Sequence, residues 1–425
     1  MNFTKSLANF KYCLLLYVIT GKIVLVWRSK MDYLIIGGGA SGMVSAINLS
    51  KKGYKVTIIE KNNSLGKKLL RTGSGRCNYF NDDFNETKYY SEEKNEITRF
   101  INLENKNKVL EFFDSLGVVP KIKEGYYYPY SNSASSILNT FMVMLKNLGV
   151  RVILDENVID IKKKDKFIVT TNKNVYQASK VVLATGSKAG LKEDSDIFKI
   201  LESFDLKVYK MLPGLVPLIG SDNYYKEWEN IRCRAVVSLY ENDKFIDKET
   251  GEIQLTNYGI SGICVLNLSN YISRSISKGN KVSVYINFIP YVDKSEALKY
   301  LKYRASKNED FTVLESLESI IPYKLLYCLF KVSKINSDKK WLELTNKEQE
   351  VLAGNLCNLK FNVYDTKELS MAQVAIGGVS LEEVKDNFEV KRIPGLYITG
   401  ELLDCTGKCG GYNLGLSWIS GLGVE

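Results

Sequence analysis

Residues 32–60 follow an order that very few folds can use. Residues 32–37 (DYLIIG) are a short apolar run suited to a buried parallel strand. Gly37-Gly38-Gly39-Ala40-Ser41-Gly42 comes next as a GxGxxG turn. A helical stretch then runs to Lys52, and a second apolar strand at 54–59 ends in Glu60. Each part has a physical task. Gly37 permits a tight turn, Gly39 lets the backbone approach a pyrophosphate, and Gly42 lets helix and strand pack closely. The helix start, with Ala40 and Ser41, offers N–H groups and a partial positive charge to phosphates. Glu60 lies 18 residues beyond Gly42, close to the spacing of an acid that binds ribose hydroxyls. A lone GxGxxG is weak evidence; strand, turn, helix, strand and acid in sequence point to a dinucleotide site.

The chain beyond Glu60 favours FAD over NAD. An NAD-binding domain continues with further βα units, whereas here a Gly/Lys-rich stretch occupies 61–78. Residues 150–186 read as a meander, with strands at 152–154, 158–162 and 167–171 and a turn at Asn172-Lys173-Asn174. A buried strand at 180–186 closes it, ending in Ala184-Thr185-Gly186. This is the layout of glutathione-reductase-type FAD domains. Near the C-terminus, residues 394–401 (PGLYITGE) read as a strand and a turn carrying Gly400 and Glu401. Such domains place an acid there to accept hydrogen bonds from the ribityl chain; Asp is usual, and Glu401 is its counterpart. Gly410-Gly411-Tyr412-Asn413-Leu414 opens a final helix whose N-terminus would face the flavin pyrimidine edge. The two ends of the chain therefore build one FAD-binding α/β domain.

The chain of 425 residues has no histidine, which excludes histidine acid–base chemistry and the zinc patterns that use it; no metal is expected. Its eight cysteines are scattered without a CxxC, so reduced thiols in a cytoplasmic protein are expected. The net charge is +10, but five of those charges fall in residues 1–30, which hold no acid. The remaining +5 is a weak bias, and a nucleic-acid partner is not expected. Residues 12–27 (YCLLLYVITGKIVLVW) are apolar but are broken by Gly21-Lys22, and they fall short of the roughly 20 residues of a spanning helix. They read as upstream sequence ahead of Met31, or as an anchor giving the only membrane contact; a signal peptide would lack its cleavage site.

Longer motifs carry a resemblance. GGGASG…IIEKNNSLGKKLLRTGSGRCN resembles the aminoacetone-oxidase-family FAD-binding enzymes, bacterial flavoproteins that include a reductase of bile-acid enones. Gly214-Leu-Val-Pro-Leu218, Leu255-Thr-Asn-Tyr-Gly-Ile-Ser-Gly262 and Met371-Ala-Gln-Val-Ala-Ile-Gly-Gly-Val-Ser380 are similar to further elements of that family. The resemblance covers residues 31–421. It implies an FAD domain from 31–195 and 376–425, a β-barrel-like insert at 196–292 with its return strand at 358–375, and a small nested helical domain at 293–357. It also implies a last helix longer than the stretch before Glu425.

The resemblance brings the 61–78 loop to the cofactor. Lys61, Lys67 or Lys68, and Arg76 are expected at FAD, with Arg76 and a lysine against the pyrophosphate and Cys77 beside the flavin. With Val158 of the meander these join the glycine turn, Glu60, Ala184, Thr185, Gly186, Gly400, Glu401, Tyr412, Asn413 and Leu414 as the cofactor set. Catalytic candidates are Tyr128 in the aromatic run Gly125–Ser131, Tyr412, and Cys409, which lies four residues after Cys405. Packed tyrosines and ordinary thiols are the plainer reading of each. There is no second GxGxxG, so any NAD(P)H binds transiently. The implied activity is FAD-dependent reduction, by NAD(P)H, of a conjugated C=C in a small apolar substrate. The alternatives are a flavin oxidase of a small amine such as an aminoketone, or a flavin-containing RNA- or protein-binding module.

Overall fold

The computed structural model describes residues 13–19, 22–190, 197–221 and 227–425. The chain divides into two units, each with its own apolar core. One holds residues up to 188, 197–211 and 377–425; the other holds 189–190 and 212–376. Sequence texture puts the first crossing at 195/196, which lies outside the described residues.

The first unit begins with β1 (Cys13–Ile19), β2 (Lys22–Ile36), α1 (Ala40–Lys51), β3 (Val56–Ile59) and α2 (Lys67–Leu70). Then come β4 (Phe80–Asn81), β5 (Tyr89–Tyr90), α3 (Ile97–Phe100), α4 (Leu103–Ser115), β6 (Pro120–Lys123), β7 (Tyr126–Pro129) and α5 (Ala134–Asn147). The next are β8 (Arg151–Ile153), β9 (Val158–Lys163), β10 (Phe167–Thr171), β11 (Val175–Leu183) and α6 (Ile197–Ser203). β12 (Val208–Gly214) carries the chain out and β19 (Val374–Val379) carries it back. β20 (Leu396–Ile398), β21 (Thr406–Gly407) and α12 (Tyr412–Gly423) complete the unit.

The central sheet runs β8-β3-β2-β11, all parallel, with β20 parallel to the end of β11. Its inner strands run apolar on both faces toward their carboxyl ends, as a parallel sheet covered by helices requires; β3 is buried at all four positions. The register aligns Ile153, Ile59, Ile36, Leu183 and Ile398 in one row. Every segment leaving that row emerges at the carboxyl edge, where open α/β sheets bind ligands. Helices α1 and α12 approach closely through small residues: a Cβ on Gly421 would stand 2.8 Å from the Ser41 carbonyl oxygen.

Two strands differ from the sequence reading. β8 is not part of the meander; it pairs with β3 in parallel, and the meander proper is β9-β10-β11. The apolar N-terminal run forms a hairpin, with Ile19 opposite Lys22, and β2 is continuous from there into the glycine turn. β-branched and aromatic residues dominate the run (Tyr17, Val18, Ile19, Ile23, Val24, Val26, Trp27), which suits a strand better than a helix. Tyr12, Thr20 and Gly21 of the run lie outside the described residues. No helix among the described residues is long and apolar enough to cross a membrane.

The second unit is a closed antiparallel barrel, β13-β16-β15-β14-β17-β18. Its strands are β13 (Leu218–Gly220), β14 (Arg232–Glu241), β15 (Lys244–Thr256), β16 (Gly259–Ser261), β17 (Val282–Asn287) and β18 (Leu359–Thr366). α7 (Ile263–Ser277) packs on it and fixes the entering LVPL segment: Asn270 Oδ1 accepts from Leu215 N at 2.9 Å and Ser269 Oγ from Val216 N at 3.0 Å. Between β17 and β18 sit the nested helices α8 (Ala297–Ala305), α9 (Val313–Leu317), α10 (Tyr323–Ser333) and α11 (Asn346–Cys357). Thr312 and Thr345 start α9 and α11 with reciprocal capping boxes to Glu315 and Glu348.

Candidate cofactor site

Four segments converge at the carboxyl edge of the parallel sheet. The glycine turn is the tightest. Gly37 has φ +104, and a Cβ there would meet the Ala184 carbonyl oxygen at 2.4 Å, so the turn is pressed against Ala184-Thr185-Gly186. A Cβ on Gly42 would meet the Gly37 oxygen at 2.1 Å. Gly39 is the opposite case, because a Cβ there would meet none of the described residues within 4 Å. It caps α1 without a side chain, leaving the first helical N–H groups open toward that space.

Glu60 is 7% exposed and closes the turn from below. Its Oε2 accepts from Gly38 N at 2.7 Å and its Oε1 from Asn62 N at 2.9 Å. The chain then folds back over the turn, where Gly66 N donates to Gly38 O at 2.9 Å. This sets α2 so that Lys68 Nζ meets Glu401 Oε2 at 2.6 Å, while Ser187 Oγ donates to Glu401 Oε1 at 2.7 Å. Thr399 Oγ1 and Ser41 Oγ, 3.2 Å apart, join the β20 turn to the start of α1. Thr185 has a buried hydroxyl with no hydrogen-bond partner among the described residues. An orphaned donor, an open Gly39 and an uncapped helix start at one edge fit a phosphate-bearing dinucleotide such as FAD.

The final helix is set by its own loop. Gly411 has φ +92 and starts α12; a Cβ there would stand 2.6 Å from the Phe80 oxygen. The Asn413 side chain is spent inside the loop, accepting from Gly407 N and donating to Gly407 O, both at 2.9 Å. The approach of residue 413 to a ligand is thus left to its backbone. Leu414 is half-buried beside it. Tyr412 is buried, and its carbonyl accepts from Tyr89 Oη at 2.9 Å.

The remaining sequence candidates are spread more widely. Arg76 is exposed, with its guanidinium over the Tyr128 ring at 5.5 Å, on the hairpin β6–β7. Cys77 is fully buried at φ +56, and burial pushes its thiol up to about 12, offset in part by a hydrogen bond with Thr72. Cys405 is buried and its thiol is raised by burial and by the Asp404 charge; Cys409 is half-buried. Neither buried thiol is a ready nucleophile. Lys61 and Lys67 are exposed, and Val158 is buried at the start of β9. Sequence reasoning misses Ser187, Thr399 and the Gly38–Glu60 bond. Ser187 directly follows the Ala-Thr-Gly turn, but no local pattern marks it as a partner of residue 401.

The comparisons with known proteins agree with this geometry. Residues 31–424 match the family described as HI0933-like protein Rossmann domain. The chain is 33% identical to the 3-dehydro-bile acid delta(4,6)-reductase of Clostridium scindens over 393 residues, 91% of this chain and 96% of that one. It is 28% identical to the ribosomal RNA dihydrouridine synthase of Escherichia coli, covering 92% of this chain and 96% of that one. The same-named protein of Haemophilus influenzae is 26% identical, with the same coverage. The chain belongs to the HI0933-like Rossmann-domain family and is an FAD-dependent oxidoreductase.

Proposed function

We propose that this enzyme reduces a carbon–carbon double bond conjugated to a carbonyl, drawing its electrons from NAD(P)H. The observation that carries the reading is the near full-length similarity to the bile-acid reductase. The names of the two classes of relatives share one chemistry. A 3-dehydro-delta(4,6) bile acid has double bonds conjugated to its 3-keto group. Making dihydrouridine from uridine saturates a ring double bond conjugated to a carbonyl. FAD bound at this edge supplies hydride acceptance and donation. The chain's task is to hold and orient: the glycine turn and the start of α1 would hold the diphosphate, Ser187 and Lys68 fix Glu401, and the N-terminus of α12 would favour negative charge. With no histidine in the chain, a proton for the substrate comes from another donor or from water, and Tyr128, whose ring lies under the Arg76 guanidinium, is our candidate donor.

The substrate is a small apolar enone. The weak basic bias outside residues 1–30 favours this over ribosomal RNA, although the synthase relatives keep RNA as the second reading. The test is anaerobic: reduce the flavin with a slight excess of NADPH or NADH, then add a steroid 4-en-3-one or an unmodified ribosomal RNA fragment. Return of the oxidised flavin spectrum with the enone alone is the expected result. Return with RNA alone moves the enzyme to the second reading. Reduction by an aminoketone, with reoxidation only by oxygen, makes it an oxidase instead.

A further inference from the structure

The fold selects one lysine from the basic 61–78 loop. Lys67 is exposed and makes no ion pair among the described residues. Lys68, one position on, bridges 333 residues of sequence to reach Glu401 at 2.6 Å. The backbone bond from Gly66 to Gly38 anchors the segment on the glycine turn, so Lys68 stands between that turn and the β20 turn. The Glu401 side chain is 18% exposed and that of Lys68 51%. A carboxylate largely withdrawn from water needs a fixed positive partner, and the Ser187 hydroxyl brings no charge.

We propose that Lys68 is the positioning residue of the cofactor site: it holds Glu401 in place for FAD and presents the positive charge that the cofactor's diphosphate meets. The inference rests on FAD lying along this edge. Replacing the charge then weakens FAD binding without unfolding the protein, because the ammonium is half in solvent. The binding is also salt-sensitive through Lys68, since ions screen an exposed charge.

The experiment uses the full chain stripped of cofactor, titrated with FAD by flavin fluorescence at low and high salt. Circular dichroism and a thermal melt without FAD serve as the fold control. Lys68→Met is expected to raise the FAD dissociation constant by about tenfold at low salt and to lose most of its salt dependence. Lys68→Arg is expected to stay within about threefold of wild type, because the guanidinium restores the pair. Lys68→Met binding like wild type overturns the proposal. So does Lys68→Arg binding as weakly as Lys68→Met, which would mark a purely steric role. A wild-type chain that takes up no FAD at all overturns the cofactor assignment and this proposal with it, so the two failures are distinguishable.

Discussion

Gly39 and Gly42 lie three residues apart in one motif and do different work, and substitution separates them. Gly39→Ala meets no atom of the described residues within 4 Å, so the chain is expected to fold normally, while the new methyl group would enter the space proposed for the diphosphate. FAD affinity is expected to fall at least roughly tenfold, with an unchanged melt of the cofactor-free protein. Gly42→Ala drives a Cβ onto the Gly37 carbonyl oxygen and is expected to cost about 1–3 kcal/mol of stability, with or without FAD. Denaturant titration of the two stripped variants distinguishes them. Cys77 predicts a pH effect. Its thiol is raised from 9.0 to about 12, so the folded state holds the proton more tightly than the unfolded one. That stability is fully present below pH 9 and is lost as pH rises toward 12. Cys77→Ala is expected to show a shallower alkaline fall in urea midpoint than wild type. The glycines are legible in the sequence because each needs a conformation or an approach that only glycine allows. Lys68 cannot be told from Lys67 there, because its partner is fixed by β20, far along the chain.

Among the elements, β12 and β19 carry the chain out of the nucleotide-binding unit and back. Their ends within that unit share one anchor, Glu93. Its Oε1 accepts from Tyr209, from Lys207 Nζ at 3.0 Å and from Ser380 Oγ at 2.9 Å. Burial alone would raise this carboxyl, but the hydrogen bonds from Tyr209, Lys207 and Ser380 outweigh it and hold it below the ordinary 4.5. The anchor's contribution is therefore present above that pH and is lost as pH falls through the lowered value. Glu93→Gln is expected to be less stable than wild type at pH 7, with the gap narrowing on acidification below about 4.5; thermal melts across pH check it. Element by element, the central strands are legible from their apolar runs. The assignment of β8 is not: Arg151–Ile153 is three residues long, and so short a run does not say whether its partner is parallel β3 or antiparallel β9. The N-terminal hairpin escapes the sequence for a related reason: the run's β-branched residues favour strand, but without a known partner strand a short apolar run is not told from helix by its pattern alone.

For the whole molecule, the separate cores predict separable folding. The barrel and its nested helices bury their own cluster, from Leu218 to Phe361, within residues 212–376. That fragment is expected to fold alone, to melt cooperatively and to bind no flavin; a fragment that aggregates or lacks a cooperative melt refutes it. The nucleotide-binding unit has no such independence, because its site draws on Gly37 near one end of the sequence and Glu401 near the other. This discontinuity bears on synthesis. A ribosome releases the phosphate turn early, at about 5–20 residues per second, yet β20 and α12 leave it only after the whole barrel has been made. The nascent chain cannot assemble a complete FAD site until the barrel has been made, so cofactor loading follows barrel synthesis. Until those two elements follow, the growing chain carries a finished barrel and an incomplete nucleotide-binding half.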